Sequence, residues 1–309
     1  MVLYIDKENV QFFMKSKGHP NFSKCEGLIR GNMDIHYNFP KEDITNDELL
    51  TLWFRQYGDG VSGKTVFCPP QVITPDRPLK SNFHSSLNGM ALSSVYLLND
   101  TRVCDMIADK SCILIGKVGE EISVIERLII DGTETMTSRI DWNTYCPSLP
   151  VTDIIISDNH YFKDSRVYAV NNNELLRKIA ANANISPVNV VIIVKEGETD
   201  GEIDIAEEQK IIKQMIRDVT QSAKSTVTIL TTYKTHDRNL VTNYFRIKNG
   251  SCFHLKQSSL KNDVTTELKS HAFRTNMNIS RSLLDVFQEI AASPVRCYGD
   301  RKSNYLNFD

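Results

Sequence analysis

The chain has 309 residues, of which 41% are hydrophobic and 24% are charged, and its formal net charge at pH 7 is −2. These values are typical of a globular protein with two domains or one large one, and they exclude an overall basic field that would recruit nucleic acid. A local basic patch stays open, because affinity follows the distribution of charge more than its sum. No apolar run reaches the roughly 18 residues of a membrane-spanning helix.

The seven cysteines are scattered, odd in number and free of C-x-x-C pairs. This pattern argues against a structural zinc site and against a disulfide framework, and we predict neither a metal nor a cofactor. The first residues, MVLYIDKENVQFF, carry charges at Asp6, Lys7 and Glu8 where a signal peptide needs an apolar core. We therefore expect a cytoplasmic protein.

The first half of the chain begins with a short strand at residues 2–5 and an amphipathic helix that ends near Gly18. Residues 33–39 alternate as a strand does, and residues 47–55 are predicted to form a helix capped by Thr45 or Asn46.

A look-alike of the phosphate-binding loop follows, because Gly58 to Thr65 satisfy G-x-x-x-x-G-K-[ST]. The mechanism behind that pattern requires a strand before the loop and a helix after it. Here a helix-like segment precedes the loop, and Pro69 and Pro70 follow too soon for an ordinary helix. We therefore predict a flexible loop and not a nucleotide site.

The remainder of this half gives few signals. Residues 69–88 are predicted to form a long irregular connection, residues 112–118 a buried strand, and residues 124–130 a strand or short helix. Two prolines and a tryptophan within residues 141–150 mark a boundary. We predict a smaller α+β domain of unknown role at residues 1–148 and an α/β domain at residues 149–309.

The second half alternates strands and helices. Strands are predicted at 154–156, 166–170, 188–194 and 226–230, with helices starting after Asn173 and Asp204. Such alternation implies a largely parallel sheet covered by helices. A last amphipathic helix is predicted to start at Ser280 and to stop before Pro294.

Residues 226–256 contain the candidate catalytic and phosphate-binding residues of this half. They are predicted to form strand, polar crossing, strand, turn and strand. The sequence runs His236-x-Arg238, four residues, Asn243, six residues, Gly250-Ser251, two residues and His254. An imidazole is a suitable nucleophile near neutral pH, and a guanidinium stabilises charge on phosphoryl oxygens.

This spacing resembles the phospholipase D superfamily motif, H-x-K-x4-D-x6-G-S-x-x-N. The resemblance implies His236 as nucleophile, Arg238 as phosphate clamp, and Asn243 and Ser251 as positioning groups. Ser251 and His254, which replaces the final asparagine, are further phosphate-binding candidates. Arg238 replaces lysine and keeps the charge. Asn243 replaces aspartate, and a neutral amide cannot stabilise an imidazolium by charge. The second half also resembles degenerate phospholipase D-like domains, which are regarded as binding modules.

Asp158 is the candidate to orient His236 if Asn243 does not. It follows the strand at 154–156, and His236 to Arg238 follow the strand at 226–230. Ligands gather at the carboxyl ends of strands in sheets of this kind, so these residues are expected to share one crevice. Two plainer interpretations stay open. Asp158 and Asn159 can simply make a turn, and the residues from His236 to Ser251 can be a solvated loop, a polar strand residue and an ordinary turn.

The motif occurs once, whereas the superfamily's enzymes need two such histidines. An active enzyme is therefore expected to be a homodimer with both motifs at its two-fold axis. The leading hypothesis is a mixed α/β protein that binds nucleic-acid phosphodiesters, with metal-independent cleavage as a further step. The resemblance also implies a role in microbial defence against mobile DNA. The alternatives are a catalytically inactive interaction module with a protein partner, and a protein that binds a phospholipid surface.

Overall fold

The computed structural model describes the chain except for residues 38, 59–64, 68–93, 98–112, 116–120, 127, 130, 137–148, 150, 163–167, 184–186, 199–202, 235–237, 251–263 and 309. The chain divides into two compact units. The first comprises Met1–Ile129 and Ser270–Ile279, and the second comprises Ile130–Lys269 and Ser280–Asp309.

The first unit contains a five-stranded sheet. Its strands are β1 (Val2–Ile5), β2 (Asp34–Tyr37), β3 (Thr65–Phe67), β4 (Ser94–Leu97) and β5 (Ile113–Ile115), in the order β3-β2-β1-β4-β5. Every neighbouring pair is parallel. Described helices connect β1 to β2 and β2 to β3 in this parallel sheet. Such connections are typical of an α/β arrangement, which differs from the α+β class predicted for this half.

The helices of this unit are α1 (Lys7–Lys15), α2 (Phe22–Asn32), α3 (Lys41–Asn46), α4 (Glu48–Tyr57) and α5 (Glu121–Glu126). Asp47 caps α4, because its carboxylate accepts from the N–H groups of Leu49 at 2.9 Å and Leu50 at 3.1 Å. The prediction of Thr45 or Asn46 as the cap was wrong. A strand and not a helix begins at Thr65, and the rest of the phosphate-loop look-alike after Gly58 lies outside the described residues.

The second unit contains an eight-stranded mixed sheet in the order β13-β9-β8-β7-β10-β11-β12-β6. Its strands are β6 (Asp131–Met136), β7 (Asp153–Ser157), β8 (Asn189–Lys195), β9 (Thr226–Thr232), β10 (Arg238–Thr242), β11 (Phe245–Asn249), β12 (Val264–Ser270) and β13 (Arg296–Gly299). The strands β7, β8 and β9 are parallel, and β10 runs antiparallel to both β7 and β11. The predicted α/β class with a mixed sheet is confirmed.

The sequences of β7 and β8, DIIIS and NVVIIVK, explain the position of these strands in the sheet. Their residues are buried almost throughout, which fits strands with both faces covered. Burial of so many branched apolar side chains supplies the main stabilising contribution of this unit, at about 25 cal/mol per Å² of apolar surface. The rigid centre of the sheet thereby fixes where the strand ends lie.

Three further helices are α6 (Tyr168–Ala180), α7 (Ile205–Thr220) and α8 (Arg274–Ala292). The predicted strand at 166–170 is wrong, since the helix α6 has already begun at Tyr168. The helix α8 starts six residues before the predicted cap, Ser280. Met277 and Ser280 are buried at a spacing that Leu284 and Phe287 continue, so the helical pattern extends back through a polar stretch that hides it in the sequence.

The predicted domain boundary at 148/149 stays a prediction, because residues 137–148 lie outside the described residues. The strand β6 precedes that boundary and pairs antiparallel with β12 in the second sheet.

Asp153, at the start of β7, ties the C-terminal segment to the sheet. Its carboxylate accepts from Ser303 Oγ at 3.2 Å, from the backbone N–H of Asn304 at 2.9 Å and from Asn304 Nδ2 at 2.6 Å. Burial raises the pKa of Asp153 to about 6, although these donors oppose the rise. The folded protein therefore holds a proton on this carboxyl at a pH where the unfolded chain does not.

This pKa predicts a pH-dependent stability. An unfolded aspartate has a pKa of about 3.9, so the contribution of Asp153 is fully present below about pH 4 and is lost as pH rises through about 6. Relative to Asp153→Asn, the native free energy of unfolding should fall by about 3 kcal/mol between about pH 4 and pH 7. Urea denaturation at several pH values measures this difference. Asp218→Asn, at an exposed helix position, is the control. If the free energy of unfolding of the native protein minus that of Asp153→Asn stays constant or rises between about pH 4 and pH 7, the raised pKa of Asp153 is contradicted.

Candidate functional site at the carboxyl edge of the second sheet

The carboxyl ends of β7, β8 and β9 lie at one edge of the second sheet, because these strands are parallel and adjacent. The antiparallel strand β10 begins at the same edge, since Asn239 pairs with Ser157 at the end of β7. The chain passes directly from β9 to β10, yet β8 and β7 lie between them in the sheet. Residues 233–237 therefore join two points of this edge that are three strand spacings apart.

The motif spacing corresponds to a β-hairpin. The strands β10 and β11 pair antiparallel, with Arg238 opposite Asn249. The guanidinium Nη1 of Arg238 donates to the carbonyl oxygen of Gly250, with 3.4 Å between the two atoms. The hairpin thus brings Gly250 back beside Arg238, whereas Asn243, in the middle of the motif, lies at the turn.

Asp158, which directly follows β7, forms a buried ion pair with Arg238. The guanidinium Nε of Arg238 donates to Asp158 Oδ1 at 3.1 Å, and the backbone N–H of His160 donates to the same oxygen at 2.9 Å. The Asp158 side chain is 2% exposed and that of Arg238 is 22% exposed. Burial raises the pKa of Asp158, whereas the His160 N–H and the charge of Arg238 oppose the rise. A charge-assisted hydrogen bond of this kind fixes the orientation of the guanidinium.

The sequence placed Asp158 and Arg238 at a common edge, and the structure brings them into contact. It also adds Glu198, which the sequence reading missed. Its carboxylate oxygen Oε2 lies 3.5 Å from His160 Nδ1, and Oε1 accepts from Lys195 Nζ at 3.2 Å. Glu198 follows β8 closely, and its place just beyond a buried strand was the available signal.

Asn243 lies at the other end of β10 from Arg238. Its side chain is fully buried, and its Oδ1 accepts from the backbone N–H of Thr152 at 3.1 Å. Five residue steps of extended chain separate the two positions, roughly 16 Å. Asn243 therefore supports the turn of the hairpin and the start of β7, and the structure does not bring it to Arg238.

His236, Ser251 and His254 lie outside the described residues. Their predicted roles as nucleophile, positioning group and phosphate ligand stay predictions. In the part of the chain that the structure describes, no group of three or more histidine, cysteine or acidic side chains is placed to hold a metal ion. Among the described helices, none is long and apolar enough to cross a membrane.

The fold and the site define an α/β protein with an arginine–aspartate pair at the carboxyl edge of a mixed sheet. No family model matches the chain, and no curated protein matches it. Among solved structures, the polyphosphate kinase from Porphyromonas gingivalis is 12% identical with a TM-score of 0.34, and the match covers 54% of this chain and 27% of the kinase.

A second solved structure is that of TrmBL2, an archaeal chromatin protein described as showing a novel mode of DNA binding. It is 13% identical with a TM-score of 0.26, and the match covers 45% of this chain and 44% of that protein. The chain thus spans less than half of either protein. At these TM-scores neither likeness carries an argument about fold or function.

Proposed function

We propose that the carboxyl edge of the second sheet binds phosphodiester groups of nucleic acid, with Arg238 as the phosphate clamp. The observation that supports this is the Asp158–Arg238 contact, in which a buried carboxylate orients the guanidinium of an arginine side chain that is 22% exposed. A guanidinium has five N–H donors, and the bonds to Asp158 and Gly250 use two of them. The planar fork of arginine suits bidentate contact with a phosphate.

The charge balance of the site limits how such binding works. Asp158 cancels most of the charge of Arg238 at a distance, so the clamp acts through directed hydrogen bonds more than through a long-range field. This agrees with a formal net charge of −2 for the chain. We therefore expect moderate affinity that decreases as salt is added.

We further propose cleavage with His236 as the nucleophile, on the basis of the motif resemblance. The imidazole nitrogen forms a bond to phosphorus, the bond from phosphorus to the leaving oxygen breaks, and that oxygen takes up a proton. Water then attacks the phosphohistidine, which frees the imidazole and leaves a phosphomonoester. A homodimer with two copies of His236 at its axis would supply the imidazole that donates the proton. The suggested role in defence against mobile DNA rests on the resemblance alone.

Degradation of labelled single-stranded and double-stranded DNA and RNA, with and without EDTA, tests this proposal. We expect metal-independent cleavage by the native protein and its loss in His236→Ala. His19→Ala removes an exposed histidine of the first unit and should leave cleavage unchanged. Cleavage that persists in His236→Ala, or that EDTA abolishes, contradicts the phosphohistidine mechanism. If the native protein binds nucleic acid but does not cleave it, the proposal of Arg238 as phosphate clamp stands and the proposal of His236 as nucleophile is wrong.

The alternative is a catalytically inactive interaction module. One observation favours it, because Asn243 is a buried amide that bonds to Thr152, and a hairpin alone accounts for the motif's spacing. In that case the native protein neither binds nor cleaves nucleic acid. Gel filtration with light scattering then shows whether it assembles with itself, whereas an active enzyme requires the dimer.

A further inference from the structure

Tyr233 is an exposed aromatic side chain at the carboxyl edge of the second sheet. It follows β9 directly and is 73% exposed. Val295, which is 40% exposed, lies at the same strand end, because its backbone N–H donates to Thr231 O at 2.8 Å. A single exposed aromatic ring is ordinary. This ring differs because cationic side chains lie beside it and the proposed clamp lies on the same edge.

Two cations flank the tyrosine. Lys234 is the next residue, and Arg296 pairs with Thr231 across β13 and β9. Their side chains are 55% and 62% exposed. Lys234 contacts Glu289 at 3.1 Å, and Arg296 contacts Glu196 at 3.2 Å. The Lys234–Glu289 pair is exposed on both sides, and such pairs contribute about 0–1 kcal/mol, so Lys234 can exchange a carboxylate for a phosphate at little cost. The Glu196 side chain is only 17% exposed, so Arg296 is bound more firmly by its carboxylate.

The tyrosine and the proposed clamp lie on the same edge. Three strand spacings separate β9 from β10 in the sheet, about 14 Å. The carboxyl ends of β8 and β7 lie between these two positions. One extended ligand lying along this edge can therefore reach both side chains.

We propose that Tyr233 is a base-stacking platform and that the ligand of this edge is single-stranded nucleic acid, with one base on Tyr233 and a phosphate on Arg238. The inference rests on the proposed phosphodiester binding and adds the class of ligand. In a duplex each base is stacked within the helix and offers no free face, whereas a single strand offers one to an aromatic ring. Among the described residues, the carboxylates of Glu196, Glu198 and Glu289 lie near this edge. They limit the electrostatic contribution, so stacking is needed for affinity.

Binding of a fluorescent oligothymidylate of about 12 nucleotides tests the proposal against an abasic oligonucleotide of the same length. The native protein should bind the thymidylate about 5- to 100-fold more tightly, since stacking on one aromatic ring contributes to that extent. Tyr233→Ala should bind both oligonucleotides with the affinity that the native protein has for the abasic one. Tyr233→Phe keeps the ring and should behave as the native protein. Ile211→Ala, at a helix position that is 51% exposed, should change nothing.

The outcomes separate the two proposals. If the native protein binds both oligonucleotides equally, or if Tyr233→Ala binds thymidylate as the native protein does, the stacking platform is wrong while phosphodiester binding stands. A preference for duplex DNA over the single strand also overturns it. If the native protein binds neither oligonucleotide, both the platform and the proposed function are wrong.

Discussion

Replacing Asp158 by alanine is expected to lower the free energy of unfolding by about 3 kcal/mol. The carboxylate is 2% exposed and accepts from both Arg238 Nε and the backbone N–H of His160. Its removal leaves a mostly buried guanidinium without its carboxylate. Because the Arg238 side chain keeps 22% of its surface exposed, we take the low end of the range for breaking a buried ion pair. Urea denaturation followed by circular dichroism measures the change.

The double variant Asp158→Leu with Arg238→Met is the control for this prediction. It removes both charges together, so we expect it to regain most of the stability that either single substitution loses. Oligonucleotide binding by the double variant should nevertheless stay about 10- to 100-fold weaker than that of the native protein, because the clamp is absent. If the free energies of unfolding of Asp158→Ala and Arg238→Met both lie within about 0.5 kcal/mol of the native value, the ion pair does not stabilise this edge of the sheet.

Replacing Arg238 by methionine is expected to weaken binding of a single-stranded oligonucleotide about 10- to 100-fold, the range for a hydrogen bond to a charged group. Arg238→Lys should recover only part of the affinity, because an ammonium cannot reproduce the planar fork. Fluorescence anisotropy at several salt concentrations measures both. The slope of log Kobs against log salt should become shallower by about 0.7 in the methionine variant, as one phosphate contact is lost.

Arg177→Met is the matched substitution for this measurement. Arg177 is an arginine of α6 that pairs with Glu174 and is 49% exposed. It should leave both the affinity and the salt slope unchanged. An equal loss of affinity in Arg177→Met and Arg238→Met would mean that binding follows total charge, and it would contradict a specific clamp at Arg238.

The sequence predicted the second half well because its signals are strong. The apolar runs of β7, β8 and β9 appear in the structure near their predicted places. The turn of the hairpin does not, because Asn243, interpreted as a polar strand residue, lies between β10 and β11. The carboxyl-end rule also placed Asp158 and Arg238 at one edge. These inferences depend on burial and periodicity, which the sequence expresses directly.

The first half was harder to predict, for a physical reason. The strands β3, β4 and β5 are three or four residues long, and so short a run has no period that separates a strand from a helix. Without them, the alternation that indicates a parallel sheet was not visible. Thr45 and Asn46, two other cap-forming residues, precede Asp47, so the sequence pattern does not single out Asp47 as the cap.

Asn243 and Glu198 show a second limit. A motif gives residue types at fixed spacing, but the length of the strand decides which of them meet. In an extended strand, five residues are enough to carry Asn243 to the far end of β10, where it bonds to Thr152. Glu198 contacts His160 only because β7 and β8 are neighbours, and the sequence alone does not give the order of strands.

The most direct measurement is a crystal structure of the protein with a bound oligothymidylate. We expect a phosphate oxygen within hydrogen-bonding distance of an Arg238 Nη atom, with the hydrogen bond from Nε to Asp158 retained and a base stacked against the ring of Tyr233. An oligonucleotide bound elsewhere on the protein, with Arg238 contacting only Asp158 and Gly250, would contradict the assignment of this edge as the phosphodiester site.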